Sequence, residues 1–292
     1  MPRTSKTFAY AITEGRLRLD IAILDISALR PHEEVIPELR DYLVRSIKAD
    51  RCVKNPVIVD ERSLVVLDGV HRVAALQKLG IRRIPVCLVD YRNPAIRVLS
   101  WYRTVRGSLD PDQVVLQIKK VGYTVEKTEN SSVKDVGHSP MAAALQLREQ
   151  TFLIKSSFKD LQEAFAIISR IESRLKAAGL TVRYETESDA LDGLEKGWVD
   201  AVICTPKISK EEIIQYALKN QALAWKATRH VIPARPLNVN VPLALLTRDE
   251  KSLAQLNKEL KHLLTGRQLT RLPPGSVVSG RRYDEELYVF EE

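Results

Sequence analysis

Cysteine is scarce in this chain: Cys52, Cys87 and Cys204 are the only three in 292 residues, and no two of them stand at metal-ligand spacing. Each lies in a mostly apolar run, which reads as a buried, reduced thiol and excludes a disulfide-stapled scaffold. Long apolar runs are missing too. No stretch approaches the ~20 residues needed to cross a bilayer. The start, Met1 to Lys6, carries charge with no apolar segment behind it, so no signal peptide is expected and the expected location is the cytoplasm. The common phosphate cradles are absent as well: there is no G-x-x-x-x-G-K-[ST] loop, no G-x-G-x-x-G after a strand, and no H-R-D or D-F-G set. Any phosphoryl chemistry must use another cradle. H-E-x-x-H and G-x-S-x-G are also missing, which removes support from the usual metalloprotease and serine-hydrolase readings.

What remains is an ordinary globular composition, 45% hydrophobic and 28% charged, long enough for one large domain or two modest ones. The formal net charge of +8 favours anionic partners such as nucleic acid, nucleotides or phosphorylated metabolites. In residues 247–292, eight Lys/Arg are matched by eight Asp/Glu, so a basic C-terminal arm for DNA is excluded.

Periodicity predicts an α/β fold (α+β in arrangement) in two parts. Leu17–Ile26 reads as a strand, and Pro37–Ala49 as a helix with Leu39, Leu43 and Ile47 on one face. Pro56–Val59 and Ser63–Leu67 form a hairpin, Val70–Leu79 a helix stopped by Gly80, and Pro85–Val89 a further strand. Next come a helix over Asp110–Val121, a flexible loop over Thr124–Gly137, and a helix start at Ser139-Pro140. From Thr151 strands and helices alternate, with Phe158, Leu161, Phe165, Ile168, Ile171 and Leu175 on one helix face and Val199–Cys204 as the third strand. The leucine stripe of Leu253–Leu264 is expected to pack on the body or on a partner subunit.

Three clusters carry chemistry. Asp68-Gly69-Val70-His71-Arg72 joins a strand to a helix. A carboxylate at a strand's carboxyl end can hold a metal or a hydroxyl, Gly69 allows a tight turn, and His71 and Arg72 stand in a first helical turn that attracts anions. The bland alternative is a capped turn with two solvated side chains. Pro31-His32-Glu33-Glu34 precedes a helix; its acids either complement the helix dipole or supply a general base for a hydroxyl. Lys226-Ala227-Thr228-Arg229-His230 offers many donors and fits an anion grip or a solvated charged loop.

The segment Leu67–Gly80 resembles the G-x-[HR]-R helix start of the ParB/sulfiredoxin superfamily. Within it, the free L-serine kinases also resemble this chain at Pro31-His32-Glu33-Glu34, at Ser100-Trp101-Tyr102 and at Lys226–Pro233, in the same order across roughly residues 15–247. The resemblance implies a ParB/sulfiredoxin-like catalytic domain over 1–105, an α/β domain over 106–247 that contributes the Lys226–His230 loop, and a C-terminal extension over 248–292 without a counterpart. It implies a kinase that makes O-phospho-L-serine from free serine, with ATP or ADP as donor and magnesium as cofactor. Glu33, rather than Glu34, is implied as the base, with Asp68 and His71 also catalytic and Asp68 a magnesium ligand. Gly69, Val70, His71 and Arg72 are implied to bind the nucleotide phosphates. Glu33, Trp101, Lys226, Thr228, Arg229 and His230 are implied to meet the amino acid. The implied partners are these small molecules, with no membrane and nucleic acid disfavoured; a homodimer is left open.

One departure bears on substrate choice. The family commonly has Gly-His-His-Arg where this chain has Gly69-Val70-His71-Arg72. Val70 excludes the sulfiredoxin reaction, which needs a cysteine there. It also makes free L-threonine an alternative acceptor, since Val70 could pack on the extra methyl. A rival of another class is a ParB-like, nucleotide-dependent DNA-binding regulator. Such a protein carries a helix-turn-helix module after the superfamily turn, whereas here that region reads as α/β. An inactive metabolite-binding relative is a third reading, disfavoured by the presence of Glu33, Asp68, His71 and Arg72.

Overall fold

Arg83–Val89 is apolar after its first residue and Leu17–Asp25 is buried along Leu19–Ile23, and both become interior strands of one sheet. The computed structural model describes residues 8–15, 17–107, 111–128 and 135–291. The expected start at Met1 to Lys6, the first residue of the Asp110–Val121 helix and the middle of the Thr124–Gly137 stretch lie outside the described residues. The chain folds into two compact units, one of Met1–Arg97, Ile213–Gln221 and His230–Glu292, the other of Val98–Glu212 and Ala222–Arg229.

The first unit opens with β1 (Tyr10–Glu14), β2 (Leu17–Asp25), α1 (Pro37–Asp50), β3 (Val57–Asp60), β4 (Val66–Asp68), α2 (Val70–Lys78) and β5 (Arg83–Val89). Its sheet runs β1-β2-β5-β3-β4, with β3 parallel to β5 and antiparallel to β4. The expected hairpin is present. Asp60 closes its turn by accepting from Ser63 N at 2.8 Å and Ser63 Oγ at 2.6 Å. Beyond β4 the chain turns at once into α2 through Gly69, whose φ is +105°. A Cβ there would stand 2.7 Å from Val57 Cγ1, so only glycine fits. Val70, Val73 and Leu76 then anchor the helix in the core.

The second unit contains β6 (Trp101–Arg106), α3 (Pro111–Lys119), β7 (Thr124–Thr128), β8 (Met141–Gln146), β9 (Thr151–Lys155), α4 (Leu161–Ala177), β10 (Thr181–Thr186), α5 (Glu187–Glu195) and β11 (Ala201–Cys204). Its sheet runs β10-β6-β11-β8-β9-β7. Two expectations are corrected here. Thr124–Thr128 is an edge strand paired with β9, its polar residues suiting an edge. Ser139-Pro140 starts no helix: Ala142–Leu145 are fully buried in β8, between β9 and β11. Pairing on both sides overrides the helical preference of three alanines. Phe158 lies just before α4, whose N-cap is Asp160.

The chain then returns to the first unit as β12 (Ala234–Leu237), α6 (Leu253–Thr265), β13 (Leu269–Leu272) and β14 (Glu286–Phe290). β14 lies between β12 and β13. The leucine stripe of α6 packs on the body: Leu256, Leu260 and Leu264 are fully buried. Beyond the end of the β1–β2 register at Tyr10–Ile21, Asn257 takes over as partner of Ile23, accepting from its N–H at 2.7 Å and donating to its carbonyl at 3.1 Å. The stripe is therefore not available to pair with a copy of itself. Residues 248–292 belong to the first unit, and β6 lies in the second unit's sheet. No helix among the described residues is long and apolar enough to cross a membrane.

Candidate active site

The segment bearing Glu33 is fixed at both ends. His32 is 1% exposed and its Nδ1–H donates to the carbonyl of Val66 in β4 at 2.8 Å. Three residues after Glu33, the Ile36 N–H donates to His71 Nε2 at 3.1 Å, so that ring nitrogen acts as the acceptor. Between these anchors Glu33 is half-buried and Glu34 exposed. The structure thus ties the Glu33 segment to the first turn of α2.

Burial pushes the His32 imidazole below its ordinary 6.5, with Glu33 and the Val66 carbonyl acting in the opposite sense. Below about pH 6.5 the unfolded chain takes up a proton here that the native chain refuses, so stability falls as the solution is acidified and levels off beneath the lowered native value. Denaturation midpoints at about pH 7 and about pH 5 should show this loss, and His32→Gln should remove its share of it.

At the end of β4, Asp68 Oδ2 accepts from Arg235 at 2.8 Å and from Arg72 at 3.3 Å. Burial alone would raise this carboxyl, but Arg72, Arg235 and Arg281 outweigh it and hold the pKa well below the usual carboxylate range. Arg72 is not a free fork, since its Nη1 also donates to the carbonyls of Asn55 at 2.8 Å and Pro56 at 2.6 Å. It is a brace for the turn. Val70 turns into the core beside Val73 and is 7% exposed. These groups do not fit magnesium. Two guanidiniums share the one carboxylate and would repel a dication, and no group of three or more metal-ligating side chains converges among the described residues.

In the second unit, Lys226 Nζ lies 3.6 Å from the centroid of Trp101, and the Arg229 guanidinium 5.8 Å from it. Two cations against one indole ring make a cationic, aromatic grip suited to a carboxylate or phosphate. Thr228 is buried and Lys226 and Arg229 half-buried, so the run is no solvated loop. Lys226 has φ +61°, a conformation non-glycine residues hold only where the surroundings impose it. The surroundings here are Arg103, 1% exposed, whose Nη1 donates to the carbonyls of Trp101 at 2.6 Å and Lys226 at 3.0 Å. Its Nε meets Glu172 Oε1 at 2.7 Å, and Tyr184 donates to Glu172 Oε2 at 2.7 Å.

His230 falls in the first unit. Its Nε2 is 2.7 Å from the Tyr91 hydroxyl, and its ring stands edge-on to His32 at 5.3 Å. The structure thus gathers Glu33, Asp68, Gly69, His71, Arg72 and His230 in the first unit and Trp101, Lys226, Thr228 and Arg229 in the second. Sequence reading missed Tyr91, Arg103, Glu172 and the role of Arg235.

No family model matches the chain. The ATP-dependent L-serine kinase of Staphylothermus marinus is 30% identical to it over 230 residues, 76% of this chain and 89% of that protein. The ADP-dependent L-serine kinase SerK of Thermococcus kodakarensis is 25% identical over 232 residues, 77% of this chain and 93% of that one. Among solved structures, a free serine kinase in complex with AMP matches with a TM-score of 0.66 at 26% identity, covering 78% of this chain and 94% of the other.

Proposed function

The chain belongs to the free L-serine kinase family of the ParB/sulfiredoxin superfamily, and from that premise we propose that it transfers a phosphoryl group from ATP or ADP to the hydroxyl of free L-serine, with Glu33 as the general base. The observation that carries the residue assignment is the double anchoring of the Glu33 segment, by His32 to β4 and by Ile36 to His71 of α2. It sets a half-buried carboxylate beside a helix start suited to phosphates.

Phosphoryl transfer needs positioning and charge neutralisation more than covalent chemistry from the protein. Glu33 accepts the proton of the serine hydroxyl as its oxygen bonds to the terminal phosphorus of the donor. The bond from that phosphorus to the bridging oxygen breaks, and ADP or AMP leaves. The first turn of α2, opened by Gly69, binds the donor's phosphate oxygens through backbone N–H groups. His71 positions the Glu33 segment, and Asp68 with Arg72 braces the turn. In the second unit, Trp101, Lys226, Thr228 and Arg229 offer a grip suited to an amino acid's carboxylate; in the first unit, His230 is held by Tyr91. Magnesium in this reading belongs to the nucleotide's own phosphates, and Asp68 is not its ligand. With Val70 in the core, no observation favours threonine over serine.

The test is to incubate the purified chain with magnesium, ATP or ADP, and L-serine or L-threonine, and to identify the product by mass spectrometry. O-phospho-L-serine is expected. Phosphothreonine in its place would move the acceptor, and no product with any pair would contradict the proposal.

A further inference from the structure

A cavity of ≈ 240 Å³ opens beside the Asp68 turn in the first unit, with Ile47, Val53 and Ile58 on its apolar side and Asp68, Arg72 and Arg235 on its polar side. Two residues of the C-terminal segment, Arg281 and Tyr283, complete its lining. Local geometry puts them there. Ser279 and Gly280 have φ of +50° and +76°, the two-residue hairpin turn that suits strand twist. The turn pairs Val278 with Arg281 and Val277 with Arg282. Tyr283 is pinned by its N–H to Ser276 O at 3.0 Å and its carbonyl to Gly275 N at 2.7 Å, and its buried ring packs with Leu237 and Leu287. The Arg281 guanidinium lies 4.7 Å from that ring's centroid.

The charges around the cavity do not balance. Arg72 and Arg235 share Asp68, and Arg235 also meets Glu285. Asp50 and Lys54, on the rim, pair with each other at 2.8 Å. Arg281 faces the same cavity, and among the described residues it has no ion pair and no hydrogen bond; its contact is the tyrosine ring. Three guanidiniums against two carboxylates leave one positive charge over, on an exposed arginine oriented by an aromatic ring. A guanidinium so placed, next to an apolar wall, suits a phosphate carried on an organic group.

We propose that Arg281 binds a phosphate of the nucleotide donor, so that the C-terminal segment completes the donor site. This rests on the kinase reading for the identity of the ligand. It is tested by binding as well as by rate. Equilibrium dialysis with ADP, on the full chain, should show the dissociation constant rising about 10-fold in Arg281→Ala, the loss of one charge-assisted contact, and by less in Arg281→Lys. Arg282→Ala, on the opposite side of the same strand, should bind like the native chain, and the KM for serine should be unaffected in Arg281→Ala. An unchanged ADP affinity in Arg281→Ala, an equal loss in Arg282→Ala, or no ADP binding by the native chain would each overturn the proposal. Arg281-dependent ADP binding without phosphoserine formation would uphold it while removing the kinase reading.

Discussion

Glu33→Gln is expected to lower kcat for phosphoserine formation by roughly 10²–10⁴-fold, the range for loss of a general base, while leaving KM for both substrates close to native. Glutamine keeps the size of the side chain and much of its hydrogen bonding, so the change isolates proton acceptance. Glu33 is the stronger candidate of the two adjacent acids on structural grounds. His32 and Ile36 fix the backbone on either side of it, and it is half-buried where Glu34 is exposed. A base is useful only if it is held within reach of the proton it takes. Glu34→Gln should therefore turn over at the native rate. Steady-state kinetics with product quantified by mass spectrometry decides the matter: a Glu33→Gln enzyme with native kcat removes the base from the mechanism, and a collapse in Glu34→Gln instead moves it by one residue.

The second large effect is expected in the second unit. Arg103→Met should destabilise that unit by about 3–5 kcal/mol, because it leaves the Glu172 carboxylate buried without its ionic partner. Arg103 is 1% and Glu172 6% exposed, so solvent does not screen the pair. The same substitution removes the donor that holds the carbonyls of Trp101 and Lys226, and with it the support for Lys226 at φ +61°. Two signatures should then appear together: a lower urea midpoint, and a raised KM for serine at temperatures where the variant is still folded. Arg103→Lys keeps the charge without the planar fork and should recover part of the stability but little of the KM. A change in stability of under about 1 kcal/mol would show that the buried pair is not what holds the loop.

Local chemistry made one part of the site legible in the sequence. The strand, glycine and helix start at Asp68–Arg72 were readable because Gly69 marks a turn only glycine fits and because Val73 and Leu76 carry helical spacing. The strand and helix alternation after Thr151 was readable from amphipathic period. What failed depended on distant partners. Ala142–Leu145 reads as helical until β9 and β11 flank it, and Thr124–Thr128 reads as loop until β9 makes it an edge. The tail leucines could have served a partner subunit as well as the body; Asn257, bonded to Ile23 across 234 positions, decides for the body. That Arg72 donates to the carbonyls of Asn55 and Pro56 is likewise set by distant residues that no sequence pattern reveals. Arg281 could not be placed at all, since its position depends on a C-terminal hairpin and on Tyr283 packing beside Leu237.

The most direct single measurement is of where the oxygen in the product comes from. L-serine labelled with heavy oxygen in its hydroxyl group is incubated with the purified chain, magnesium and ATP or ADP, and the product is analysed by mass spectrometry. Attack by the serine hydroxyl on the donor's terminal phosphorus predicts O-phospho-L-serine that retains the label in the bond joining carbon to phosphate. Absence of phosphoserine with either donor, or phosphoserine that has lost the label, would contradict it.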